Sequence, residues 1–202
     1  MKSLLLKAAP AVAICSLLAF SACESESVSP DATLSAQQDL NARSSKSLNL
    51  NKTYMVEIKS LNNSGVSGMA TLTLMGDELT VHIEASGLEP GMVHPQHIHG
   101  FMENNKNAVC PPMSADTDGD GLVELPEGLP YYGPVLLSLE PFPTAPDGTI
   151  NYTRTFNISD KVDLLPLQNN VIVLHGMTVD GEYVATLPVA CGEIKPANKG
   201  KR

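Results

Sequence analysis

Ten residues, Gly91 to Gly100, read G-M-V-H-P-Q-H-I-H-G and hold three of the chain's five histidines: His94, His97 and His99. His97 and His99 stand two apart. On a strand, residues i and i+2 share a face, so both imidazoles would point one way, about 7 Å apart, with Ile98 turned into the opposite layer. Two such rings can grip one metal ion. Their nitrogens suit copper, zinc, iron or nickel, not calcium. The same spacing also fits two polar residues on a strand beside a turn, and the pair alone leaves both readings open.

A second cluster offers oxygen chemistry. Asp116 to Glu127 reads D-T-D-G-D-G-L-V-E-L-P-E, which meets the calcium-loop pattern D-x-D-x-D-G-x5-E at every anchor. Asp116, Asp118 and Asp120 would each give one oxygen, Gly121 the sharp turn and Leu122 a carbonyl. Glu124 would act directly or through water, and Glu127 would close the shell with both oxygens. Pro111 and Pro112 precede the loop and Pro126 sits in its exit, so the usual flanking helices are expected to be missing. The expectation is a calcium loop grafted into a β protein; the plainer alternative is an acidic surface loop.

The elements that must hold these clusters read as strands. Tyr54–Leu61, Val66–Met75 and Glu78–Ala85 alternate apolar and polar residues, with turns at Asn62–Gly65 and Gly76-Asp77. Later strands are Val135–Leu139, Thr149–Ile158, Val171–His175, Tyr183–Pro188 and Cys191–Ile194. His82 is expected to face outward from the third of these segments. With 15 glycines, 15 prolines and no tryptophan, the chain predicts many turns, little long helix and an aliphatic core. The fold class is therefore all-β: an antiparallel sandwich or barrel of about eight short strands with one long loop insertion. Leu129–Pro134 returns from that loop and would either cover the histidine face, with Tyr131 or Tyr132 shielding a metal, or simply pack.

The 202 residues suffice for one domain with appendages. Residues 1–22 combine Lys2 and Lys7 with an apolar run from Ala8 to Leu18, the pattern of an export signal and too short to span a bilayer. The following L-A-F-S-A-C resembles a bacterial lipobox, which would place a lipid on Cys23. Residues 23–52 are polar, lack aromatics and predict a flexible tether. The domain proper is expected over 53–195, and 196–202 as a disordered basic tail. That places the protein in a bacterial cell envelope, lipid-anchored on the periplasmic face or outer surface. A net charge of −9 argues against nucleic acid as a partner. Cys110 and Cys191 remain, suited to a bridge in an oxidising compartment or to two buried thiols.

Taken together, these segments resemble the copper/zinc superoxide dismutase family, a Greek-key β-sandwich or barrel. V-S-G-M-A-T-L-T-L and L-T-V-H-I-E-A-S-G-L-E-P-G are similar to its second and third strands. H-P-Q-H-I-H-G carries its H-x-x-H-x-H spacing, V-I-V-L-H-G its last copper histidine, and A-C-G-E-I its closing strand and second cysteine. The H-I-H-G segment and late histidine also resemble CHRD domains, named from chordin, and the chain looks more like those. The resemblance implies copper on His97, His99 and His175, with His94 as a supporting histidine bonded to nearby backbone. It also implies what is missing. No histidine lies between Cys110 and Val135, where the family's bridging and zinc histidines would stand, so no zinc is expected. Pro188 stands where the family has an anion-guiding arginine. The implied function is a lipid-anchored metal-binding module, with calcium in the 116–127 loop and copper on three histidines, serving metal handling or surface interaction. The alternative is a copper-only superoxide dismutase.

Overall fold

The computed structural model describes residues 51–103 and 106–197. The expected export signal, Cys23, the tether as far as residue 50 and residues 198–202 lie outside them. Within them are nine strands: β1 (Lys52–Ser60), β2 (Ser67–Met75), β3 (Glu78–Ser86), β4 (Gln96–His99), β5 (Val135–Ser138), β6 (Thr149–Asn157), β7 (Val171–Val179), β8 (Glu182–Glu193) and β9 (Lys195–Pro196). All pair antiparallel in one curled sheet of order β5-β4-β7-β8-β1-β2-β3-β6, with β9 added beside β1. The β3–β4 and β6–β7 connections cross between the two halves, as in a Greek key. The sheet curls until its edges meet: the Tyr152 hydroxyl on β6 donates to the Leu139 carbonyl just past β5 at 2.8 Å.

Two sequence patterns build this sheet. β1, β2 and β3 alternate, and only one face is dry. Val56, Ile58, Leu72, Val81 and Ile83 enter the main core, while Thr53, Glu57, Met69 and Glu84 stay at the surface or partly exposed. β7 does not alternate. Its first six residues are all buried because both faces are covered: Ile172 and Leu174 join the main core, Val171 and Val173 a smaller cluster with Ala108, Tyr132 and Cys191. A strand covered on both sides reads as a continuous apolar run.

Several expectations need correction. Tyr183–Pro188 and Cys191–Glu193 belong to one strand, β8, because bulges around His175 absorb the slip in register against β7; the strand ends before Ile194. Residues 196 and 197 do not belong to the tail: Pro196 pairs with Tyr54, and the Ala197 N–H donates to the Thr53 carbonyl at 2.9 Å. The acidic loop has an exit helix, α1 (Leu125–Tyr132), with Pro126 in its first turn, where the missing N–H leaves no bond unmade. Cys110 and Cys191 are bridged, Cα–Cα 5.7 Å, across 81 residues of sequence. No helix among the described residues is long and apolar enough to cross a membrane.

Candidate metal centre

β4 lies between β5 and β7, and its pairing decides which way each side chain points. His97 is opposite Val173, and His99 is opposite Val171. These four share the face under α1, while Gln96, Ile98, Ile172 and Leu174 share the main-core face. The His175 N–H donates to the Pro95 carbonyl at 2.9 Å, which brings His175 onto the same face as His97 one step along. The three rings form a triangle with centroid separations of 5.6 Å (97–99), 5.2 Å (97–175) and 5.8 Å (99–175). One ring nitrogen from each lies within 4.8 Å of the others.

Each ring also has one buried nitrogen without a hydrogen-bond partner: Nδ1 of His97 and Nε2 of His99 and His175. On His99 and His175 the opposite nitrogen is occupied. Nδ1 of His99 donates to the Gly133 carbonyl and Nδ1 of His175 to the Thr186 carbonyl, both at 2.9 Å. A carbonyl only accepts, so the proton sits on Nδ1 and the Nε2 lone pair faces inward. Burial lowers the pKa of His97, against an opposing pull from Glu140. It lowers His99 to about 4 and His175 to about 3, chiefly by desolvating the charged ring. All three rings are therefore neutral at pH 7. Lone pairs converging in a dry site, with no donor to meet them, are costly unless a cation is shared among them, and the residues fit a transition metal on that ground.

Other residues frame the triangle. The Tyr132 ring is fully buried and stands 4.7 Å from His99. The Phe142 ring meets His97 edge-on at 5.3 Å, on the half-buried side of the site. His94, also buried, sits behind the triangle. Its Nδ1 is 3.0 Å from the His175 carbonyl and its Nε2 3.0 Å from the Glu89 carbonyl. Gly176, at φ 106°, makes this possible, because a Cβ there would lie 2.0 Å from the Tyr183 hydroxyl oxygen and 3.1 Å from His94 Nδ1. His82 is remote, on the outer face of β3, bonded to Thr153 at 2.8 Å.

The acidic loop is ordered by its own carboxylates. Asp116 accepts from the N–H groups of Gly119 (2.7 Å) and Gly121 (2.9 Å), Asp118 from Asp120 (3.2 Å) and Asp120 from Leu122 (2.8 Å). Oxygens of Asp116, Asp118 and Glu127 lie within 4.8 Å of one another, as do those of Asp118, Asp120 and Glu124. Hydrogen bonds from Thr117 hold Glu127 down at about 2, while burial and the neighbouring Glu127 push Glu124 up. Val123 is fully buried, and Asn62 grips its backbone from both sides: Val123 N–H to Asn62 Oδ1 at 2.8 Å, Asn62 Nδ2 to the Val123 carbonyl at 3.1 Å.

The sequence did not point to Gly133 or Thr186, which act through their carbonyls, nor to Phe142. It read Asn62 only as a turn residue. No protein-family model matches the chain, and no curated protein does. Among solved structures, the Cu(II) structure of superoxide dismutase 5 from Candida albicans is similar at 13% identity and TM-score 0.46, over 76% of this chain and 97% of that one. A superoxide dismutase-like protein from Bacillus subtilis is similar at 15% identity and TM-score 0.43, over 69% of this chain and 96% of that one. Likeness at this level carries no argument about the site, which rests on its own atoms.

Proposed function

We propose that this domain binds a transition metal, copper, on His97, His99 and His175, as an envelope-anchored module for metal handling. The observation that carries the reading is a set of three buried imidazole nitrogens with no hydrogen-bond partner, from rings whose ligand atoms lie within 4.8 Å of one another. Copper is favoured because the donors are all imidazole and because Cu(II) heads the affinity order of divalent ions at a given nitrogen site. Calcium in the 116–127 loop belongs to the same reading, supported by the complete anchor pattern and by the exit helix starting inside it. A lipid on Cys23 and a tether ending before β1 would hold the module at the membrane. The disulfide suits an extracytoplasmic setting.

The test is metal content. Protein made without a histidine tag, loaded with Cu(II) and dialysed, is expected to keep one copper with a nitrogen-rich electron paramagnetic resonance signal. His97→Ala and His175→Ala should lose it. A parent protein that emerges copper-free removes the reading.

One observation favours a second reading, a copper-only superoxide dismutase. Three ligands leave a coordination position open, and His97 is only half-buried, so a small anion could approach from its side. Bound copper would supply one-electron redox chemistry there. Against it, Pro188 pairs with His175 and brings no cation to the site. Superoxide loss on copper-loaded protein, absent in His97→Ala, would favour the enzyme; parent and variant alike at background would remove it.

A further inference from the structure

Of the two histidines held by a hydrogen bond to a carbonyl, only His99 takes its orientation from outside the sheet. His175 is fixed by a carbonyl of β8. His99 is held by the end of α1, through the Gly133 carbonyl on Nδ1 and the Tyr132 ring beside it. That helix, L-P-E-G-L-P-Y-Y, is two turns long and contains Pro126, Gly128 and Pro130. Such a sequence does not sustain a helix by itself, so its geometry depends on what grips its ends.

The far end is gripped by Glu127. Glu124 and Glu127 cap the helix reciprocally. Glu127 Oε1 also accepts the N–H and hydroxyl of Thr117, each at 2.6 Å, and so ties the helix to the acidic loop. Gly128 completes the path. A Cβ there would fall 2.3 Å from the Tyr132 ring, so the glycine lets that ring fold back along the helix.

We propose that α1 is a strut through which Glu127 sets the orientation of His99, making Glu127 and Tyr132 positioning residues for the three-histidine site. Its consequence for metal affinity rests on the copper reading; its structural part does not. Partners that orient a ligating histidine typically change metal affinity by about 10- to 100-fold when lost.

The experiment uses the full chain with Glu127→Gln, Gly128→Ala and, as a control on the outer face of β3, Glu84→Gln. In metal-free protein, long-range proton–nitrogen spectra report the His99 and His175 imidazoles separately. Glu127→Gln and Gly128→Ala are expected to shift the His99 Nδ1 proton and speed its exchange, with His175 and the sheet amides unchanged. Cu(II) titration should then show a dissociation constant raised about tenfold, with altered resonance parameters, while Glu84→Gln behaves as the parent. An unmoved His99 signal in both variants overturns the strut. A parent protein that holds no copper overturns the proposed function instead, and the metal-free spectra still decide the strut.

Discussion

His99 and His175 are neutral in the fold because burial desolvates their charged forms, to about 4 and about 3. In the unfolded chain both titrate near the ordinary histidine value of 6.5. Between those values the unfolded state binds protons that the folded state refuses, so stability falls as pH falls, by at most about 1.4 kcal/mol per pH unit per ring. The metal-free domain should keep full stability above about pH 6.5 and lose it progressively down to about pH 3, most steeply above about pH 4, where both rings contribute. Urea midpoints across that window, flattened in the double variant His99→Gln with His175→Gln, would establish the link; identical slopes in parent and variant would refute it. Gln96 makes a different point at the same scale. It is fully buried on the main-core face, and neither amide atom has a partner. A buried amide left unpaired costs about 1–3 kcal/mol. Gln96→Met keeps the length and drops the polar atoms, so it is expected to stabilise the domain by about 1 kcal/mol, read as a raised urea midpoint. A lowered midpoint would mean that the amide is satisfied.

At the scale of elements, the strands were legible because burial on one face writes a period of two into β1, β2 and β3, and burial on two faces writes an unbroken apolar run into β7. The H-x-H spacing showed that His97 and His99 share a face. It could not show that His175 joins them, which depends on the bulged register of β7, and only the family resemblance supplied that residue. α1 was missed because Pro126 read as a breaker, and because its capping residues, Glu124 and Glu127, were already read as calcium anchors. Asn62 was read only as part of a turn. It sits at φ 53° and donates to the carbonyls of Val123 and Pro188 while accepting from the Val123 N–H. Losing three buried bonds predicts a cost of about 2–3 kcal/mol for Asn62→Gly, a substitution that keeps the left-handed backbone and removes only the clamp. Hydrogen exchange should show the Val123 amide opening while the β2–β3 amides stay protected. A Val123 amide as slow as in the parent would mean the clamp is redundant.

Across the whole molecule, the segment from Cys110 to Gly133 is fastened to the sheet at three places: the disulfide to β8, the Asn62 clamp on Val123, and the Gly133 carbonyl on His99. The disulfide closes 81 residues, which in the chain-entropy picture contributes roughly 4–5 kcal/mol, so reduction should lower the thermal midpoint and loosen the other two fastenings. Through the proposed strut, a segment anchored this way would couple the acidic loop to the histidines. If calcium occupies the loop and stiffens α1, the strut predicts a raised copper affinity at the histidines, and copper must then raise calcium affinity by the same factor, because a coupling free energy is shared by both sites. Calcium itself does not compete for imidazole nitrogen. Calorimetric titration of Cu(II) with and without saturating calcium, and of calcium with and without copper, should therefore give equal ratios of about 5 or more. Gly128→Ala, which leaves every calcium anchor in place, should bring both ratios towards one. Ratios of one in the parent protein, with both metals demonstrably bound, would show that the two sites share a domain without sensing each other.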